Sequence, residues 1–126
     1  MERVTRQRGA IEGVLRTAQR PLTAAEILAA SRAAVPGLGT ATVYRTLRGM
    51  VEDGSIAPVF LAGEGARYEL AHLGHHHHFR CRACERVFEV DGCPGDLSAL
   101  APKGFHVEAH DVVLFGRCAS CATGSP

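Results

Sequence analysis

His75-His76-His77-His78-Phe79-Arg80-Cys81-Arg82-Ala83-Cys84, answered further along the chain by Cys118-Ala119-Ser120-Cys121, is the stretch that decides how this sequence folds. Two C-x-x-C pairs at opposite ends of a β-rich segment can each turn back on one ion. Together they give four-thiolate tetrahedral coordination, a geometry and softness that favour Zn²⁺. Two disulfides or a redox pair are the competing reading of Cys81, Cys84, Cys118 and Cys121. The beginning Met1-Glu2-Arg3-Val4-Thr5-Arg6 has no apolar export core. No stretch approaches the roughly 20 apolar residues of a membrane span. These features place the protein in the cytoplasm, where paired C-x-x-C motifs read as metal knuckles.

A four-cysteine site has no need of the histidines, so they are free for a second purpose. In an extended segment alternate side chains share a face. His76 and His78 then point one way and His75 and His77 the other, and one segment serves two sites. Strand signals continue through residues 86–90, a turn follows at Asp91-Gly92-Cys93-Pro94-Gly95, and a short helix is predicted over 96–101. Strands are expected over 105–110 and 112–115, with His106, Glu108 and His110 on one face. His106-Val107-Glu108-Ala109-His110 is not the helical H-E-x-x-H of zinc proteases: its Glu is one place late and its context is β-like. With no other catalytic grouping in the chain, the sequence reads as a non-enzyme, with no small organic substrate. A metal-dependent hydrolase is the rival class, and it lacks a general base beside an open metal site.

The first half is organised differently. Thr5 is placed to cap a helix over 6–18, with Ile11, Val14, Leu15 and Ala18 as one apolar stripe. Thr23-Ala24-Ala25-Glu26 is a capping box for a second helix burying Ile27, Leu28, Ser31 and Val35. After Pro36-Gly37-Leu38-Gly39, Thr40 is expected to cap a third helix over 41–53. Val43, Leu47, Met50 and Val51 form its apolar side. Ala41, Arg45, Arg48 and Glu52 lie opposite, with Thr42 and Tyr44 at the margins. This is the two-sided pattern a major-groove recognition helix needs: Arg can bond guanine bidentately, and Tyr and Thr can touch thymine methyls or phosphates. An ordinary surface helix with solvated arginines is the bland alternative. A strand over 56–61, a turn at Gly63-Glu64-Gly65 and a strand over 67–70 complete the winged-helix order.

Charge follows the same division. Residues 1–60 carry eight Lys/Arg against five Asp/Glu, a net +3, and residues 61–126 carry six against eight, a net −2, together the +1 of the chain. A basic front half and an acidic, His-rich back half suit DNA contact and metal binding respectively. Halves of about 60 residues are marginal as lone cores, so a structural metal and a dimer interface would both help. The expected class is α+β: a winged helix-turn-helix domain over 1–71 and a small α/β dimerisation domain over 72–126 holding the four-cysteine zinc site.

Thr5-Arg6-Gln7-Arg8, Ala41-Thr42-Val43-Tyr44-Arg45, Tyr68-Glu69-Leu70, the His75–Cys84 run and His110 through Cys121, in this order, resemble the ferric uptake regulator (Fur) family. The resemblance spans residues 3–121. It implies a homodimeric, metal-dependent repressor that binds palindromic double-stranded DNA, with no membrane. It assigns structural zinc to Cys81, Cys84, Cys118 and Cys121, and DNA contacts to Tyr44 and Arg45, with Arg3, Arg8, Thr42 and Arg48 beside them. It implies a sensory hinge site of Glu69, His76 and His78, which His72 could join, and a second site of His75, His77 and His110 completed by Asp96. Cys93 is unusual and could replace or join Asp96. Pro21 stands where iron- and peroxide-sensing members usually supply a histidine. That departure turns the expected regulatory ion towards Zn²⁺, while Ala71 stands near the place where zinc sensors often have a cysteine; an iron-, manganese- or peroxide-responsive regulator, with Fe²⁺ or Mn²⁺ as the ion, is the alternative. A metal-independent winged-helix protein with structural zinc only is the remaining rival.

Overall fold

The computed structural model describes residues 2–123 and divides into two compact units, 1–73 and 74–126. The first unit begins with helix α1, Glu2–Ala18, which buries Gln7, Ile11 and Leu15. It starts before Thr5, which therefore lies inside the helix rather than capping it. Strand β1, Leu22–Thr23, leads directly into helix α2, Ala24–Ser31. The capping box is complete: the Glu26 N–H donates to Thr23 Oγ1 at 3.1 Å and the Thr23 N–H donates to Glu26 Oε1 at 2.9 Å. Burial works to raise the Glu26 pKa. The Thr23 amide and the Arg20 guanidinium, 3.4 Å away, outweigh it and hold the carboxyl below its ordinary value.

Helix α3 spans Thr40–Glu52, with Gly39 at the N-cap and no side-chain cap bond. Thr40 is the first helical residue, not the cap, because the chain is still extended at Gly39. Val43, Leu47 and Met50 are buried along the predicted stripe and pack with Ile11, Leu15, Ile27 and Ile56. Each such side chain contributes about 1.5–3 kcal/mol by leaving water. Strands β2, Ile56–Val59, and β3, Arg67–Leu70, form the expected hairpin, and β3 also pairs with β1, giving the order β1-β3-β2. The Arg8 guanidinium of α1 meets the Asp53 carboxylate just past α3 and lies 3.3 Å from Ser55 Oγ, tying the two helices together.

The second unit is a three-stranded sheet of order β5-β4-β6. Strand β4, His77–Cys81, pairs antiparallel with β5, Val87–Val90, and parallel with β6, Val113–Gly116. A single 3₁₀ turn, Ser98–Leu100, stands where the short helix was predicted, and helix α4, Ala119–Thr123, follows β6. The strand expected over 105–110 does not form. Both edges of β4 are taken by β5 and β6, and 105–110 runs as irregular chain between Gly104, at φ +86°, and β6. The parallel β4·β6 register sets Cys81 opposite Gly116 and so delivers the second knuckle to the first. Gly116 packs closely under Phe79: a Cβ would lie 3.2 Å from Phe79 Cζ, so a larger residue would have to shift that ring. No helix among the described residues is long and apolar enough to cross a membrane.

Candidate metal centres and nucleic-acid surface

Three groups of metal-ligating atoms gather on the frame of β4. Zinc bonds of about 2.0–2.1 Å to nitrogen and about 2.3 Å to sulfur give tetrahedral edges of about 3.3 Å for N···N or N···O, about 3.6 Å for N···S and about 3.8 Å for S···S. Those edges are the test each cluster has to meet.

The first cluster is Cys81, Cys84, Cys118 and Cys121, whose sulfurs all lie within 4.8 Å of one another. Cys84 Sγ and Cys118 Sγ are 3.9 Å apart. All five cysteines of the chain are free thiols, so the disulfide reading gives way to a single four-sulfur site. The first knuckle turns because Glu85 adopts φ +66° and its N–H donates to the Cys81 carbonyl at 2.9 Å. The Cys84 and Cys118 amides donate to Cys81 Sγ at 3.4 and 3.3 Å and lower its pKa to about 6. In the same cluster Cys121 is pushed up to about 12, chiefly by Cys118 and then by Cys81. Four thiolates cannot share so small a space unless a cation neutralises them. The donor set, the spacing and these opposed shifts fit structural Zn²⁺.

The second and third clusters divide the four histidines by face, as the alternation predicts. His75, His77 and His110 gather on one face together with Cys93. His75 Nε2 and His110 Nε2 are 3.1 Å apart, and Cys93 Sγ is 3.4 and 3.3 Å from them. Burial first, and the neighbouring His75 and His110 next, hold the His77 pKa below its ordinary value, so this ring is kept neutral. The Val112 N–H donates to His77 Nδ1 at 3.1 Å, while His77 Nε2 is buried with no hydrogen-bond partner. An ion on Nε2 needs the ring proton on Nδ1, so loading His77 would give up the Val112 contact.

His76 and His78 occupy the other face with Glu89. His78 Nε2 is 3.1 Å and His76 Nε2 3.4 Å from Glu89 Oε1, matching the N···O edge. Glu89 is the residue that the sequence reading missed. The signal was available: a hairpin closed at the first knuckle pairs His78 directly with Glu89.

Asp96 is outside every cluster, with its Oδ1 accepting from the Ser98 N–H at 2.9 Å and the Ser98 hydroxyl at 2.6 Å. His72, at φ +64°, is in none of them. His106 and Glu108 are exposed and also lie outside, because no strand forms to carry them beside His110. Glu69 sits on β3 opposite Ala57.

In the first unit, the α3 face opposite the core presents Tyr44, Arg45 and Arg48 to solvent. Arg45 Nη2 donates to the Thr42 hydroxyl at 3.2 Å. Arg3 is exposed on α1, whereas Arg8 is engaged by Asp53. A concave, arginine-rich surface of about 660 Å³ joins Arg3, Arg6 and Arg8 of α1 to Thr42 and Arg45 of α3.

A winged-helix unit and a metal-ligand unit on one chain define a metal-binding, DNA-binding transcriptional regulator, not an enzyme. The sequence pattern of the ferric uptake regulator family matches residues 2–115, and the chain belongs to that family. It is 31% identical over 99 residues to the transcriptional regulator FurA of Mycobacterium tuberculosis, covering 76% of this chain and 67% of FurA. The fold matches the ferric uptake regulator of Helicobacter pylori, described as having three functional metal-binding sites, with a TM-score of 0.74 at 24% identity over 95% of this chain and 82% of that one. It also matches FurB of M. tuberculosis, described as a zinc uptake regulator, with a TM-score of 0.53 at 32% identity over 95% of both chains.

Proposed function

We propose that the protein is a zinc-responsive repressor, a cytoplasmic homodimer that binds a palindromic operator when its regulatory sites are loaded. The observation that carries this reading is the His76–His78–Glu89 cluster, a second donor set that the four-cysteine site does not need. Three donors leave a divalent ion short of the usual four. The family resemblance assigns Glu69 to the same sensory site, with His72 as a further candidate. The second site gathers His75, His77 and His110; the resemblance would complete it with an acid at Asp96, which lies outside the cluster.

Filling these sites would favour one arrangement of the dimer, in which two recognition helices meet successive major grooves. Tyr44, Arg45, Thr42 and Arg48 would read base edges and phosphates. Arg3 would add positive charge, and Arg8 would do so only on leaving Asp53. Zinc is favoured over iron or manganese by Pro21, which supplies no ligand where the family resemblance places a histidine in iron-sensing members. The test is selection from random double-stranded DNA with the protein in Zn²⁺, Fe²⁺, Mn²⁺ or chelator. Enrichment of one palindrome in Zn²⁺ at the lowest free ion concentration is the expected result. The same palindrome recovered equally well in chelator would leave a winged-helix protein with structural zinc only.

A further inference from the structure

Cys93 lies in the irregular segment Gly92-Cys93-Pro94-Gly95 that follows β5. Gly95 takes φ +92°, which a side chain would resist, and its N–H donates to Cys93 Sγ at 3.4 Å. The segment carries the sulfur to 3.4 Å from His75 Nε2 and 3.3 Å from His110 Nε2, which are 3.1 Å from each other. All three edges fall within about 0.3 Å of those of a tetrahedral N,N,S zinc site. His77 lies in the same cluster and has a buried, unpartnered Nε2. The Asp96 carboxylate is held by Ser98 and is not among these donors.

We propose that the Cys93 thiolate closes the second site as a three-histidine, one-thiolate Zn²⁺ site, and that Asp96 holds Ser98 rather than the ion. The inference rests on reading this cluster as a metal site and changes which donor completes it. The consequence is selectivity. Thiolate with imidazole suits Zn²⁺ and Co²⁺, whereas carboxylate suits harder ions such as Mn²⁺. Strand β4 would therefore carry two sites of different softness on its two faces: N₃S on one, and histidine with carboxylate on the other. Binding at the softer site releases the Cys93 thiol proton as the sulfur–metal bond forms.

The experiment uses the full chain, with the four-cysteine cluster filled with zinc, titrated with Co²⁺. A near-ultraviolet thiolate-to-cobalt band should rise in the wild type, vanish in Cys93→Ser and persist in Asp96→Asn. Zn²⁺ competition should show affinity at this site falling at least about tenfold in Cys93→Ser, since even loss of an outer-shell partner costs about 10–100-fold. Alkylation mapped to residue 93 gives an independent reading: Zn²⁺ should protect Cys93 in the wild type and fail to protect it in a His75→Ala, His110→Ala variant. Cobalt binding without any sulfur band, or a band unchanged in Cys93→Ser, overturns the thiolate while leaving the metal site intact. No Co²⁺ bound beyond the four-cysteine site overturns both the thiolate and the site.

Discussion

A single sulfur holds the key contacts of the second unit. Cys81 is buried, accepts two amide N–H bonds and has a pKa lowered to about 6, which readies it to ionise for metal. Cys81→Ser should abolish the tightly held zinc and the cooperative melting of residues 74–126, read by metal analysis and circular dichroism. Retention of stoichiometric zinc by that variant would contradict the four-thiolate assignment. In the first unit Asp53 contributes to the acid dependence together with Glu26. The Ser55 hydroxyl, followed by Arg8, holds the Asp53 carboxyl below the ordinary 3.8. A lowered folded value means that the interaction is fully present above the unfolded value and is lost as pH falls through the folded one. Asp53→Asn should therefore flatten the fall in melting temperature below about pH 4, while an unchanged acid profile would remove Asp53 from the account. At this scale the four cysteines and the two-faced histidines were legible, because thiolate spacing and strand period are local. Glu89 was missed, because it depends on hairpin register, and Cys93 was named only as a possible replacement for or addition to Asp96, because local sequence does not say where its sulfur is aimed.

Among the elements, α2 is the one written most openly in the sequence. Thr23 and Glu26 satisfy each other's backbone donors, as the spacing of a capping box requires. Thr23→Ala should cost about 1 kcal/mol and lower the melting temperature of the first unit by about 4–8 °C. A shift within error in thermal denaturation would show that the core, not the cap, fixes this helix. The apolar stripe of α3 and the β2·β3 hairpin were equally readable, since each is a local periodic signal. The pairing of β1 with β3, and of β4 in parallel with β6, joins segments distant in sequence, which no local pattern specifies. The unformed strand over 105–110 shows the converse: alternation gives a segment strand character, but a strand also needs a partner in register, and none pairs with this segment among the described residues.

For the molecule as a whole, family membership and three ligand clusters converge on metal-dependent regulation, with the basic charge in the half that carries the recognition helix. The charge asymmetry and motif order were visible in the sequence. The identity of the regulatory ion was not, because nitrogen and carboxylate donors serve several ions and affinity order alone does not select among them. The claim on which the account turns is that metal held by His76, His78 and Glu89 raises DNA affinity without altering the four-cysteine site. The direct measurement is fluorescence anisotropy of the selected palindrome against the wild type and a His78→Ala, Glu89→Ala variant, both with four-cysteine zinc retained, across free Zn²⁺. The wild type should gain about 5–150-fold in affinity on loading, and the variant should stay at the unloaded value. Equal gains in both proteins, or none in either, would contradict it.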